Sequence, residues 1–133
     1  MTTFFTDRNL GKQFGRRLRE LGLLVEIHHD HLGYKTSDEE VLEYAASRGW
    51  VLLTLDSRIR YRAAEKEAIL RTGAAVIHLK ISKTWTLLDQ ADHFASNISR
   101  VERFLSKHDP PLFAVYRINP KGKARLELKE LSH

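Results

Sequence analysis

The sequence predicts an α/β fold in three layers, α/β/α, with a mainly parallel central sheet and a C-terminal hairpin at the sheet edge. Short, β-prone apolar runs alternate with helical periodicities, the pattern of βαβ units. The runs are almost continuously apolar rather than alternating, as expected of strands covered by helices on both faces. A length of 133 residues suits one domain with a core of its own. We therefore read residues 1–133 as a single unit, with 1–80 carrying the motifs and 81–133 supplying a long helix and the closing hairpin.

Thr3-Phe4-Phe5-Thr6 ends at Asp7 and reads as a buried strand. Leu10, Phe14, Leu18 and Leu21 then form one apolar helix face, with Lys12, Arg16, Arg17 and Arg19 largely off it and Gly22 as the cap. Residues 23–27 give a second strand, followed by a polar loop from His28 to Lys35. Ser37-x-x-Glu40 is a capping-box signature, so a helix starts there. It carries Val41, Leu42, Ala45 and Ala46 inward and stops at Gly49. Residues 50–55 are the strongest strand, ending at Asp56. A helix over about Tyr61 to Arg71, closed by Gly73, and a strand over 74–79 follow.

Thr84 to Lys107 reads as one long helix. Its stripe of Leu87, Ala91, Phe94, Ile98, Val101 and Leu105 has two readings: it packs on the sheet, or it forms a seam for dimerisation or a partner helix. Asp109-Pro110-Pro111 ends the helix. Residues 112–118 and 124–131 then read as two strands joined by the turn sequence Asn119-Pro120-Lys121-Gly122.

Composition narrows the functional classes. There is no cysteine, which excludes a disulfide scaffold and a thiolate zinc site. No apolar run approaches a membrane span, and the N-terminus lacks the pattern of a signal peptide, so the cytoplasm is the expected location. The net charge is +5, and its excess is densest between Arg100 and Lys129, with a second cluster at Arg58, Arg60 and Arg62. A basic balance of this kind suits an anionic partner.

Within this basic chain, carboxylates stand at particular places. Asp7 and Asp56 end the first and third strands, and Asp38 opens the helix leading into the third. Ligand sites of open α/β sheets lie outside the carboxyl ends of the strands. All three acids are therefore expected at one rim, where oxygen ligands would suit magnesium or manganese and the hydrolysis of a phosphodiester. Each also has a local explanation. Asp7 and Asn9 can cap a helix, Asp38 and Glu39 suit a helix N-terminus, and Asp56 can cap the next helix. Arg58, Arg60 and Arg62 can hold backbone phosphates beside that rim, or they are solvated charges at a helix start, or they pair with Glu39, Glu40 and Glu43. His28-His29-Asp30-His31 offers donors for zinc or another transition metal, although adjacent side chains on a strand point in different directions.

Taken together, Phe5-Thr6-Asp7-Arg8-Asn9-Leu10, Thr36-Ser37-Asp38-Glu39-Glu40-Val41-Leu42 and residues 50–60 with Leu53-Thr54-Leu55-Asp56 resemble a PIN-like nuclease domain, in particular the VapC-type toxins of toxin–antitoxin systems. The resemblance covers about residues 4–80. It implies metal-dependent RNA cleavage with Asp7, Asp38 and Asp56 as catalytic metal ligands, Asn9 and Glu39 as additional candidates, Mg2+ or Mn2+ as cofactor, RNA as substrate and an antitoxin as partner. This sequence departs from the family pattern in lacking a clear fourth acid between Asp7 and Asp38, where only Glu20, Glu26 and Asp30 stand as candidates. That departure leaves open a non-catalytic RNA-binding module, or a protein-interaction subunit working through its long helix.

Overall fold

The computed structural model describes residues 1–80, 84–118 and 122–131. Six strands form one sheet: β1 (Thr3–Thr6), β2 (Leu24–Ile27), β3 (Val51–Thr54), β4 (Ala75–Leu79), β5 (Leu112–Ile118) and β6 (Ala124–Lys129). Their order is β2-β1-β3-β4-β5-β6. All neighbours are parallel except β5 and β6, which pair antiparallel from Phe113↔Lys129 to Ile118↔Ala124. The edge hairpin expected from the sequence is therefore present, while most of its turn, residues 119–121, lies outside the described residues.

Alternation along each strand divides the core into two layers. On one face Phe4, Val25, Leu53, Ile77 and Ala114 meet α1 (Gly11–Glu20), α5 (Leu87–Ser96) and α6 (Ile98–Lys107) through Phe14, Leu18, Phe94 and Val101. On the other, Phe5, Leu52, Val76 and Phe113 meet α3 (Asp38–Ser47) and α4 (Ala63–Thr72) through Val41, Leu42, Ala68 and Ile69. This is the three-layer arrangement that the uninterrupted apolar strands anticipated.

Local chemistry sets most boundaries. Ser37 caps α3 by accepting the Glu40 N–H at 3.2 Å. Its hydroxyl donates to the Glu40 carboxylate at 3.1 Å, so the box is not closed through the backbone. A complete box occurs instead at Thr86 and Asp89, opening α5. Gly73 ends α4 with φ +72°, a left-handed conformation that glycine adopts without the Cβ penalty. At Gly15 a Cβ would stand 2.6 Å from Ile27 Cγ1, so α1 can lie this close to β2 only because the side chain is missing.

Three expectations need correction. The segment after β2 is not wholly a loop: His28–His31 closes one helical turn, α2, with the Leu32 N–H donating to the His28 carbonyl at 2.9 Å. The helix expected from Tyr61 begins at Ala63, because the Tyr61 N–H is taken by the Arg58 carbonyl in a preceding turn. The single long helix over 84–107 is two helices broken at Asn97. Asn97 turns its side chain to other work: its amide donates to the His93 carbonyl at 2.9 Å and its Oδ1 accepts the Ala124 N–H at 3.0 Å, tying the break to β6. The apolar stripe continues across the break, with Ala91, Phe94 and Val101 in the sheet core and Leu87, Ile98 and Leu105 partly buried against it, as the first of its two readings expects.

Candidate functional site

The strand order places a switch point between β1 and β3. The helix after β1 lies on one face and those after β2 and β3 lie on the other, which opens a crevice at the carboxyl ends of these two strands. Asp7 and Asp56 follow β1 and β3 there, and Asp38 is the first residue of α3.

Thr54, the last residue of β3, joins the first two acids. Its hydroxyl donates to Asp7 Oδ2 at 2.8 Å and accepts from the Asn9 amide at 3.0 Å and from the Asp56 N–H at 3.1 Å. Asn9 also donates to Asp7 Oδ2 at 3.2 Å and accepts the Leu55 N–H at 3.1 Å. Asp7 Oδ1 accepts the Arg8 N–H at 2.8 Å, so Asp7 caps the 3-10 turn Arg8–Leu10 as well as belonging to the site. Its local and functional explanations are therefore compatible.

Two arginines complete the network. Arg62 Nη1 lies 2.7 Å from Asp56 Oδ2, 3.6 Å from Asp38 Oδ2 and 3.9 Å from Glu65 Oε1. Arg8 Nη2 lies 3.4 Å from Asp38 Oδ1, while its Nη1 donates to the carbonyls of Thr36 and Tyr34. Arg8 thereby ties the end of β1 to the start of α3.

The acids are held differently. Asp7 is 4% exposed, and its burial raises its pKa above the ordinary carboxylate value despite the hydrogen bonds from Thr54 and Arg8. Asp38 adds to the rise by like-charge repulsion. Burial also acts to raise the pKa of Asp56, but hydrogen bonds from Arg62 and from the Arg58 N–H, with the Arg62 charge, carry it below the usual range. His78, on β4 beside Thr54, has its pKa lowered by burial against the pull of Asp56, so its ring is neutral near pH 7.

The expected trio thus converges on one network, and Asn9 belongs to it. Glu39 is exposed on α3 and makes none of these contacts. The Arg58, Arg60 and Arg62 group divides. Arg62 joins the acids, whereas Arg58 and Arg60 line a neighbouring groove. None of the three pairs with Glu39, Glu40 or Glu43 among the described residues; Glu43 pairs with Arg71 at 2.7 Å. The candidates for a fourth acid are committed elsewhere: Glu20 to Arg17, Asp30 to Arg19, and Glu26 to Arg19 and His31.

The histidine cluster is structural. His31 bonds Glu26 at 2.7 Å and the Tyr44 hydroxyl at 2.8 Å, and His28 is buried against the Gly33 carbonyl. Sequence reading missed Thr54, Arg8 and Glu65 as members of the network. A threonine two residues before an aspartate at a strand end is the signal that could have found Thr54. Glu65 becomes a candidate only through Arg62.

Among the described residues no three His, Cys, Asp or Glu side chains are gathered closely enough to hold a metal ion as they stand. The donor chemistry nevertheless fits a hard divalent cation: carboxylate oxygens dominate, and the positive charge between Asp38 and Asp56 is supplied by a guanidinium.

These features are those of a PIN-like domain. The family model described as "PIN like domain" matches residues 2–81, and the chain belongs to that family. It is also 33% identical over 129 residues to "Putative ribonuclease VapC45" of Mycobacterium tuberculosis, an alignment covering 92% of this chain and 89% of that protein. No solved structure matches the chain significantly. No helix among the described residues is long and apolar enough to cross a membrane.

Proposed function

We propose that this protein is a metal-dependent endoribonuclease, the toxin of a type II toxin–antitoxin module acting in the cytoplasm. The observation that carries the reading is the joining of Asp7, Asp38 and Asp56, from three distant stretches, through Thr54, Arg8 and Arg62 at the β1/β3 switch point. Family membership and the VapC relative support the same reaction class.

In this reading Asp7, Asp38 and Asp56 hold Mg2+ or Mn2+, which when bound polarises water and shields phosphate charge. Thr54 and Asn9 fix the Asp7 carboxylate by donating to its Oδ2. Arg62 offsets the charge of Asp56 and Asp38, and its guanidinium fork would suit a substrate phosphate beside them. Arg58 and Arg60 bind the RNA backbone beside the acids. The protein partner is a cognate antitoxin that covers the carboxylate end.

The test is cleavage of a mixed-sequence RNA with Mg2+, with Mn2+ and with EDTA. Asp7→Asn and Asp56→Asn are each expected to slow cleavage about 100-fold or more, some 2.7 kcal/mol of barrier. Unchanged rates in both variants, or full activity in EDTA, would overturn the assignment. The pairing of Arg62 with two of the acids favours a second reading, a catalytically degenerate PIN-like RNA-binding module. It predicts binding without metal-dependent turnover under the same conditions.

A further inference from the structure

The face of the sheet that carries Asp7 and Thr54 continues past the acids onto β4, β5 and β6. Beyond α3 and α4, whose apolar residues share a core with Val76 and Phe113, no helix among the described residues covers that end: α5 and α6, which follow β4, both lie on the opposite face. Instead there is a groove of about 510 Å³, floored by Phe113 and Val115 and walled by Arg58, Arg60, Lys80, Arg117 and Lys129, with His78 on the side of Asp56. The β5/β6 register places Phe113 with Lys129, Val115 with Glu127 and Arg117 with Arg125 on one face. Glu127 is the acid of that face among the described residues. It is already engaged by Arg117 at 3.2 Å, Arg125 at 3.7 Å and Lys129 at 3.0 Å. Among the described residues no carboxylate pairs with Arg58, Arg60 or Lys80, so the groove keeps a large positive excess.

Resting on the ribonuclease reading, the geometry points to this groove as the seat of single-stranded RNA on one side of the scissile bond, with Lys80, Arg117 and Lys129 as backbone contacts and Tyr61 as a base-stacking platform. Three features select that ligand. The first is continuity: from Thr54 the groove crosses three inter-strand steps, about 14 Å at the usual spacing, enough for a short stretch of nucleotides. The second is its pairing of cations with an aromatic ring at the rim. Tyr61 is 64% exposed and Arg60 sits 4.1 Å from its centroid, the combination used by sequence-tolerant single-strand sites. The third is shape. The groove is a narrow concavity on a sheet face, whereas an A-form duplex presents a wide, shallow minor groove that calls for a broad, flat footprint. His78 lines the same groove, beside Asp56.

The experiment measures binding apart from cleavage. A fluorescein-labelled 12-mer single-stranded RNA is titrated by anisotropy in EDTA, over a range of salt, against the wild type, Lys80→Ala, Lys80→Ala/Lys129→Ala and a control pair on α1, Lys12→Ala/Arg16→Ala. The groove pair is expected to weaken binding at least tenfold and to reduce the slope of log Kd against log salt by about 1.4, at roughly 0.7 per lost contact on a single strand. The single variant is expected to give about half that slope change, the α1 pair none, and the 12-bp RNA duplex at least tenfold weaker binding than the single strand. Equal affinity and slope in wild type and groove variants would overturn the proposal. So would duplex binding as tight as single-strand binding. Binding of an acidic glutamate peptide in place of RNA would also overturn it, and would make the groove a protein-docking face. The two readings fail separately. Groove-dependent binding without cleavage sinks the ribonuclease reading alone, whereas acid-dependent cleavage with unaffected binding sinks the groove alone.

Discussion

The two faces of the sheet solve their polar problems in opposite ways. On the face covered by α1, α5 and α6, the buried His93 and Tyr116 are closed on each other and on the backbone. His93 bridges the Tyr116 hydroxyl and the Gly122 carbonyl, both at 2.6 Å, and burial drives the Tyr116 pKa upward, so that hydroxyl stays neutral. On the face covered by α3 and α4, polar groups gather where the helices stop. Asp7 is buried there with its pKa raised, Asp56 and Asp38 lean on Arg62, and the groove beyond has an excess of cations. The first arrangement stabilises a fold. The second keeps unbalanced charge close to solvent, at a cost in stability that a ligand can offset.

Substitutions can break that contrast. The largest stability effect is expected on the covered face. Phe94 is fully buried, edge-on to Phe4 at 5.3 Å and 5.2 Å from Tyr116, so Phe94→Ala should cost about 3–5 kcal/mol in urea unfolding. Below its lowered midpoint it should still bind RNA, because nothing in the groove has changed.

On the other face the two strand-end acids should respond with opposite signs. Asp7 has its pKa raised by folding, so the native state binds the proton more tightly than the unfolded chain. Its contribution therefore falls as pH rises from the ordinary carboxylate value through the raised native one, and the penalty persists at neutral pH. Asp7→Asn, which removes that penalty, should raise the melting temperature at pH 7 even as it slows cleavage. The gain should vanish in acid. Asp56 has its pKa lowered, so its stabilisation is present above the ordinary carboxylate value and is lost as pH falls through its depressed native one. Asp56→Asn should lower the melting temperature at pH 7. Melting curves from pH 3 to 8 decide both, and changes of the same sign in the two variants at pH 7 would show that the acids are not held in different environments.

A change in metal affinity is expected at Arg62. With this guanidinium gone, Asp38 and Asp56 lose their internal cation, so Arg62→Gln should bind Mn2+ roughly tenfold more tightly, about 1.4 kcal/mol. A titration of free Mn2+ by electron paramagnetic resonance reads this without any turnover. Weaker binding would mean that Arg62 organises the acids rather than competing for them.

Much of this was legible in the chain. Asp7, Asp38 and Asp56 could be placed at one rim because strand ends and a helix start are local events, marked by Thr6-Asp7, Ser37-Asp38 and Thr54-Leu55-Asp56. The break at Asn97 was hidden, because the apolar stripe keeps its spacing across it and the reason for the break is a bond to Ala124, 27 residues away. The division of the three arginines was equally hidden. Arg62 turns to Asp56 and Asp38, while Arg60 turns to Tyr61 and Phe113, and their spacing carries no trace of the difference.

By itself, then, the sequence determined the alternation of strands and helices, the apolar faces, the caps at Ser37 and Gly73 and the positions of the three acids. All of these follow from interactions within a turn or two of chain. Only the tertiary structure decided the strand order that opens the crevice between β1 and β3, the hydroxyl of Thr54 that ties Asp7 to Asp56, and the groove formed by β4, β5 and β6. Those depend on which strands become neighbours and which face each helix takes, and such choices are fixed by burial summed over the whole chain.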